Sequence, residues 1–286
     1  MRHILFTVVC MTVISSMSCA QTTSASGSVQ ASMPPHLGFD RNLYPGDAAL
    51  PALRRHFAFT GYWLNNPPGE TTNTWLGKRD TLLRNNFGFL VLFNGREDAQ
   101  IIRAQRRGTR ADVLGKQDAS AAIAAAQREH FSAGTVLFLD QEEGGRLLPE
   151  QASYLFSWTE AVSASIYKPG VYLSGQPVDD GPGKTITTAE DVRQQVAAKH
   201  LHPVALFVYQ DACPPSKGCT LAPPAISAAG IAGITAWQYA QSPRRPDITR
   251  SCAKTYAADN NCYAPGVSGI YLDMDLGISD DPSHGR

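Results

Sequence analysis

The stretch Thr135-Val136-Leu137-Phe138-Leu139-Asp140-Gln141-Glu142 places a continuous apolar run directly before two acidic residues. An apolar run without polar alternation is typical of a parallel strand, because helices cover both faces of a parallel sheet. Phe89-Leu90-Val91-Leu92-Phe93 has the same character. The two stretches predict a parallel sheet whose polar groups follow the carboxyl end of a strand.

Similar apolar runs recur on both sides of these two and alternate with segments of helical period, which is the pattern of an α/β fold. Eight strands are predicted, at residues 37–40, 57–64, 88–93, 135–140, 170–174, 204–209, 234–239 and 269–272. Helices are predicted at residues 48–56, 75–85, 118–131, 149–167, 188–200 and 223–230. Eight strands with intervening helices predict a single-domain (β/α)₈ TIM barrel over residues 36–276, followed by a C-terminal tail at 277–286. An open, doubly wound sheet is the alternative.

The first residues have the pattern of an export signal. A basic start, Met1-Arg2-His3, precedes an apolar run at 4–14 that is too short to be a stable membrane anchor. Ser18-Cys19-Ala20 supplies the small residues of a cleavage site, which predicts a signal peptide at 1–20 and a flexible N-terminal segment at 21–35. We expect a periplasmic or secreted protein. The alternative is a lipoprotein, and membrane attachment is expected only if Cys19 carries the lipid.

Charge and cysteine content narrow the possible partners. The chain has 25 basic and 25 acidic residues and a formal net charge of zero, which gives no electrostatic case for nucleic acid as a partner.

Four cysteines of the mature chain form two close pairs in sequence, Cys213 with Cys219 and Cys252 with Cys262. In an oxidising compartment, this spacing predicts two local disulfides. A zinc site is less favoured, because neither pair has metal-ligand spacing, and we expect no metal and no cofactor.

Acidic residues fall at the ends of several predicted strands, where barrel enzymes build their sites. Asp40 ends the first strand, Asp140 and Glu142 end the fourth, and Asp273 follows the last. Asp140 and Glu142 are two residues apart, so both side chains can point to the same face of the sheet. Glycosidic bond cleavage needs a protonated acid and an anion, and crowding separates the pKa values of neighbouring carboxyl groups in this way. We predict Glu142 as the general acid, Asp140 as the neighbouring charge, and Asp40 and Asp273 as groups that position substrate or water.

Two alternatives apply to these acids. A carboxylate at the end of a strand can cap the next helix, and Asp275 could take the place of Asp273 because the two share a face.

Aromatic residues near the strand ends could stack on sugar rings, although core packing is the simpler interpretation of each one. The predicted substrate-binding residues on the second and seventh strands are Tyr62, Trp237, Gln238 and Tyr239.

These residues resemble a known family. Gly38-Phe39-Asp40, Phe59-Thr60-Gly61-Tyr62 and the stretch from Gln117 to Asp140 are similar to the glycoside-hydrolase-like domain first described as a domain of unknown function. That group is similar to the family-25 lysozymes, which carry an Asp-x-Glu pair, a Trp-Gln-Tyr motif and an Asp at the last strand. The matching residues are Asp140-Gln141-Glu142, Trp237-Gln238-Tyr239 and Asp273. The resemblance, over residues 38–276, implies a (β/α)₈ barrel and muramidase action on peptidoglycan without a cofactor.

The sequence hypothesis is therefore an exported glycoside hydrolase that cleaves peptidoglycan or a related cell-envelope glycan. The alternative is a catalytically inactive barrel that binds glycan and acts in organisation of the cell envelope. Both hypotheses predict a polysaccharide partner and a cleft at the carboxyl end of the barrel. They differ in whether Glu142 is needed for bond cleavage or only for binding.

Overall fold

The computed structural model describes residues 36–286. The predicted signal peptide at 1–20, the segment at 21–35 and Cys19 lie outside the described residues. The strands that form the barrel are β1 (His36–Asp40), β2 (Phe59–Trp63), β3 (Gly88–Asn94), β4 (Val136–Gln141), β5 (Lys168–Ser174), β8 (Ala205–Tyr209), β9 (Ala236–Ala240) and β10 (Asp273–Gly277). The short strands β6 (Val178–Asp179) and β7 (Thr185–Ile186) form a separate hairpin.

The eight longer strands close into one barrel, in the order β1, β2, β3, β4, β5, β8, β9 and β10. This confirms the predicted barrel and excludes the open sheet. Seven strands are parallel, and their carboxyl ends define what we call the mouth. Strands β1, β2, β3, β4, β5, β8 and β9 match the first seven predicted strands within a few residues.

The eighth predicted strand, at 269–272, is wrong in position and in its parallel direction. The last strand is β10, and it runs antiparallel to both β1 and β9. Parallel neighbours need a crossover that returns the chain to the opposite end of the sheet. The connection from β9 to β10 contains only a short 3₁₀-helix, Arg250–Thr255, and stays at the mouth. Asp273 therefore lies at the mouth because it begins β10, not because it ends a strand.

Helices cover the outside of the barrel. They are α1 (Leu50–Arg54), α2 (Arg79–Arg84), α3 (Asp98–Arg106), α4 (Ala111–Arg128), α5 (Pro149–Ser163) and α6 (Thr188–Ala198). The predicted helix at 223–230 is a short 3₁₀-helix, Ile226–Ala229. None of the helices in residues 36–286 is long and apolar enough to cross a membrane.

Helix α4 packs closely on α5 because its contact face is made of small residues. Ala119, Ala122 and Ala126 are buried on that face. At Gly115 a Cβ atom would lie 2.3 Å from the backbone oxygen of Tyr154 in α5, so a side chain there would push the two helices apart. Helix α5 in turn packs against β5, the strand that pairs with β4.

The predicted tail at 277–286 packs into the barrel at the end opposite the mouth. The backbone N–H of Ser283 donates to Phe89 in β3, and its backbone oxygen accepts from Val136 in β4 at 2.8 Å. The Ser283 hydroxyl oxygen accepts from the backbone N–H of Val91. The segment therefore bridges β3 and β4 where the two strands do not pair with each other.

Both predicted disulfide pairs are wrong. The disulfide joins Cys213 to Cys252, with 5.9 Å between their Cα atoms. Cys219 and Cys262 are free thiols that lie within hydrogen-bonding reach of each other. Each pair thus connects the loop that follows β8 to the loop between β9 and β10. Nearness in sequence misled the prediction, because folding brings two distant loops together at the mouth.

Candidate active site

The mouth collects side chains that point inward from alternating positions of the strands. Sheet pairing places Asp40 of β1 directly beside Asp273 of β10, and Asp275 beside Gln238 of β9. On the opposite side, Asp140 of β4 lies between Asn94 and Tyr172 of its neighbouring strands. Acids that are far apart in the chain are therefore brought to one end of the barrel.

Two adjoining cavities open at the mouth. The first has a volume of about 290 Å³, and its polar lining includes Asp40, Glu142, Tyr172, Gln238 and Asp273. The second, of about 370 Å³, contains Asp140 and shares Glu142 and Pro68 with the first. Glu142 thus stands at the junction of the two cavities.

A larger cavity of about 840 Å³ lies outside the barrel, between α5 and α6. Its lining is mainly apolar, and its one carboxylate, Glu160, is paired with His202 at 2.7 Å. Its other polar side chains, among them Lys116, Gln195 and Lys199, include no second carboxylate, whereas the mouth gathers several acids. The mouth is therefore the candidate active site.

Asp40 is held by a chain of hydrogen bonds that crosses the barrel. The Nε2 of Gln238 donates to Asp40 Oδ2 at 2.9 Å, and the Tyr172 hydroxyl donates to Gln238 Oε1 at the same distance. Burial raises the pKa of Asp40 to about 6, while the hydrogen bond from Gln238 opposes that rise. Gly61 leaves room for this carboxyl group, because a Cβ atom at position 61 would lie 2.6 Å from Asp40 Cβ.

Asp275 lies beneath Asp40 and is fully buried. Neither of its oxygens has a hydrogen-bond donor among the described residues, but its carboxyl group lies within hydrogen-bonding reach of Asp40. Burial, followed by the charges of Asp40 and Asp273, raises the pKa of Asp275 well above the usual range. A neutral Asp275 can donate a hydrogen bond to Asp40, which gives each of the two carboxyl groups a hydrogen-bond partner. Asp275 and Asp273 both face the inside of the barrel, so Asp275 does not have to replace Asp273 in the site.

Asp140 and Glu142 differ in exposure. Asp140 is buried, its Oδ1 has no partner in the described residues, and burial together with the charge of Glu142 raises its pKa well above the usual range. Glu142 is exposed to the cleft, but partial burial by the cleft walls and the charge of Asp40 still raise its pKa. A raised pKa favours the neutral acid in each case. Burial thus disfavours the charged form of Asp140, the residue that the sequence suggested as the neighbouring charge.

Asp273 is anchored at the start of β10. Its Oδ1 accepts a hydrogen bond from the backbone N–H of Ser242 at 2.5 Å, and Ser242 Oγ donates to the backbone oxygen of Leu272. Burial and the charge of Asp40 raise the pKa of Asp273 well above the usual range. Ser242 therefore ties the long loop after β9 to the strand that carries Asp273.

Arg245 brings a positive charge to this acidic mouth. Its guanidinium is paired through two nitrogens with the buried Asp211, and it lies over the Tyr209 ring with 5.0 Å from Cζ to the ring centroid. Tyr209 donates its hydroxyl hydrogen to the backbone oxygen of Glu142. The charge of Arg245 limits the rise in the pKa of Glu142.

Three of the predicted aromatic contacts do not reach the mouth. Tyr62 points outward and donates its hydroxyl hydrogen to Glu129 of the helical layer. Trp237 and Tyr239 are also fully buried on the outer face of β9, where they donate to the backbone oxygens of Gln210 and Thr220. Tyr62 lies one residue out of phase with the inward-facing Gly61 of β2, and Trp237 and Tyr239 flank the inward-facing Gln238 of β9, so these three side chains do not reach the cavity. Gln238, the fourth predicted residue, does line the cavity.

Trp63, Tyr172 and Phe207 are the aromatic side chains that line the cavity. Trp63 follows Tyr62 directly, and strict alternation from the inward-facing Asp40 and Gly61 would have identified it. In residues 36–286, no group of three or more His, Cys, Asp or Glu side chains is arranged to hold a metal ion. The cavity thus combines one exposed acid, buried acids with raised pKa values and a Trp wall, which suits acid–base chemistry on a sugar-sized ligand.

Comparisons with solved structures found several similar proteins, of which the first supports the fold. An uncharacterized protein of B. stearothermophilus superposes with a TM-score of 0.52 at 17% identity, covering 86% of this chain and 98% of the other. The Tat-secreted protein Rv2525c of Mycobacterium tuberculosis superposes with a TM-score of 0.49 at 11% identity, covering 86% and 95%. The catalytic domain of endolysin ply40 from bacteriophage P40 of Listeria monocytogenes gives 0.46 at 15% identity, covering 89% and 100%. No curated protein matches the chain.

A family model gives the more specific relationship. Residues 61–212 of this 286-residue chain match the family described as Rv2525c-like, glycoside hydrolase-like domain. The match begins at Gly61, which makes room for Asp40, and it includes Asp140 and Glu142 of the mouth. The chain belongs to the Rv2525c-like family of glycoside hydrolase-like domains.

Proposed function

We propose that this protein is an exported glycoside hydrolase that cleaves peptidoglycan or a related glycan of the cell envelope. The observation that carries the proposal is the meeting of Asp40, Glu142 and Asp273 in one cavity, with Asp140 in the adjoining one. A glycosidase needs one neutral acid and one anion near the scissile bond. Membership of a glycoside hydrolase-like family supports the reaction class.

Glu142 is proposed as the general acid. Its side chain is the exposed carboxyl group at the junction of the two cavities, and its raised pKa favours the protonated form that a leaving oxygen requires. Asp40 is proposed as the anion that stabilises positive charge at the sugar ring. Its pKa of about 6 leaves it ionised at neutral pH, and Gln238 fixes its orientation.

Asp140 and Asp273 are proposed to position the reacting groups. Asp140 is buried and Asp273 is half-buried, and burial together with the nearby charges of Asp40 and Glu142 favours their neutral forms. A neutral carboxyl group can donate a hydrogen bond to a sugar hydroxyl or to water. Trp63 and Tyr172 supply apolar surface on which a sugar ring can pack.

Export is part of the proposal. The signal-like start of the sequence and the Cys213–Cys252 disulfide both fit an oxidising compartment outside the cytoplasm. Lipid attachment at Cys19 remains the alternative route to the envelope.

The test is release of reducing ends from purified peptidoglycan by the full chain and by Glu142→Gln. We expect the variant to lose about a hundredfold or more in rate, because loss of a general acid typically removes that much, and to keep its affinity for the glycan. Glu160→Gln, on the outside of the barrel, is the matched control and should leave the rate unchanged. A wild-type protein that binds peptidoglycan and releases nothing would refute the hydrolase and support the glycan-binding barrel.

A further inference from the structure

One cation at the mouth has no hydrogen-bond acceptor and no carboxylate partner in the described residues. Arg41 follows Asp40 at the end of β1 and is half-buried. Its Nε is buried without a hydrogen bond, and no carboxylate of residues 36–286 lies within salt-bridge distance of its guanidinium. A buried charged donor without a partner is unfavourable, so it marks a place where a ligand can supply the missing acceptor.

The other arginines in the loops of the mouth are already occupied. Arg96 pairs with Asp118 at 2.6 Å, Arg146 pairs with Asp180 at 2.7 Å, and Arg245 pairs with Asp211. Arg244 donates to Asn260 at 2.8 Å. Arg41 is thus the arginine among these five whose hydrogen-bonding groups are available to a ligand.

Arg41 lies against an exposed aromatic surface. Its Cζ is 5.4 Å from the centroid of the Tyr271 ring, a distance typical of a cation–π contact. Tyr271 and Tyr263 are each 40% exposed, and their ring centroids are 6.4 Å apart. Both tyrosines belong to the long loop before β10, which enters the barrel from the mouth.

Sheet pairing fixes the position of this surface relative to the acids. Asp40 pairs with Asp273, and Arg41 and Tyr271 continue the two strands outward from that pair. Arg41 and Tyr271 do not line the cavity that contains Asp40 and Asp273, but each lies within two residues of one of these acids, so a ligand that contacts them would lie beside the cavity. The aromatic ring offers a stacking face for a sugar, and the guanidinium offers a planar fork for an anion.

We propose that Arg41 and Tyr271 form a subsite for a carboxylate-bearing sugar of the glycan, next to the sugar that occupies the cavity. The proposal rests on the proposed function, because it names the substrate class of the same site. A guanidinium binds a carboxylate through two parallel hydrogen bonds. A carboxylate fits better than a phosphate, because a single negative charge is repelled less by the acids of the mouth.

The test measures binding, so that it does not depend on turnover. The full chain carrying Glu142→Gln is titrated calorimetrically with two matched oligosaccharides, one with free lactyl carboxylates and the same glycan after reduction of those groups to alcohols. We expect the acidic glycan to bind about tenfold more tightly, since a charge-assisted hydrogen bond contributes about that much. Adding Arg41→Met should abolish the preference, and Arg41→Lys should restore part of it.

Arg107→Met removes a positive charge from an exposed position after α3 and serves as the matched control, which should keep the preference. Equal affinity for the two glycans, or no binding of either, would overturn the subsite. An equal loss of affinity for both glycans in Arg41→Met would also overturn it, since a structural role predicts that result. The hydrolase proposal is tested by a different measurement, the release of reducing ends by the unmodified chain, so the two proposals can fail independently.

Discussion

The carboxyl groups of Asp40 and Asp275 form a buried pair that links stability to pH. Burial raises both pKa values above those of an unfolded chain, to about 6 for Asp40 and well above the usual range for Asp275. The neutral forms are favoured in the native state, so their contribution to stability is complete below about pH 4. It is lost as pH rises through the native pKa values, because the folded protein must then bury negative charge.

Asp275→Asn removes one titrating group and keeps a donor for Asp40. We therefore expect the unfolding free energy of this variant, measured by urea denaturation, to exceed that of the unmodified protein increasingly as pH rises from about 4 to 7.5. Asp80→Asn changes an exposed acid on α2 and is the control. A constant difference between Asp275→Asn and the unmodified protein across this range would show that Asp275 does not bury a titrating charge.

Sequence predicted the inward acids better than the aromatic residues, and the reason is physical. Asp40 and Glu142 were identified from their positions at the carboxyl ends of strands, and both reach the cavity; Asp273 also reaches it, although it begins β10. The choice between Tyr62 and Trp63 depends on the phase of a strand that is buried on both faces. Apolar residues on both faces remove the alternation that would reveal the phase. Polar Gln238 lines the cavity and identifies the inward face of β9.

At the scale of elements, the antiparallel strand β10 could not be predicted from its own residues. Its direction depends on whether the preceding loop crosses the barrel, and that loop carries no helix of useful length. The same loop is held at the mouth by Ser242, which bonds Asp273 and Leu272, and by the Cys213–Cys252 disulfide. The position of Asp273 thus depends on contacts between loops that are distant in sequence.

Loss of the disulfide tests this dependence. The bond closes a loop with a sequence separation of 39 residues, and we expect Cys213→Ser to lower the unfolding free energy by about 2–4 kcal/mol. Thermal denaturation under oxidising conditions measures the effect, and Cys252→Ser should reproduce it. Reductant should lower the stability of the unmodified protein and leave that of Cys213→Ser almost unchanged. A variant as stable as the parent would indicate that the loops are held without the crosslink.

At the scale of the whole molecule, the barrel has two differently built ends. The mouth gathers acids with raised pKa values, while the opposite end is completed by residues 279–286, which bridge β3 and β4. In addition to the backbone contacts of Ser283, Asp281 Oδ1 accepts a hydrogen bond from the backbone N–H of Phe89 at 2.9 Å. Sequence reasoning described residues 277–286 only as a tail, because small polar residues carry no strand pattern and their role depends on a gap between two strands.

Removal of residues 279–286 should therefore destabilise β3 and β4 most. The backbone N–H groups of Phe89, Val91 and Val136 lose their acceptors, and each buried group left without a partner costs about 1–3 kcal/mol. Native-state hydrogen exchange should show faster exchange in these two strands, together with a lower melting temperature. Removal of Arg286 alone is the control and should have a small effect, since its side chain bonds only to the exposed Asp280. Unchanged exchange in β3 and β4 after the longer deletion would mean that the two strands are stable without the bridge.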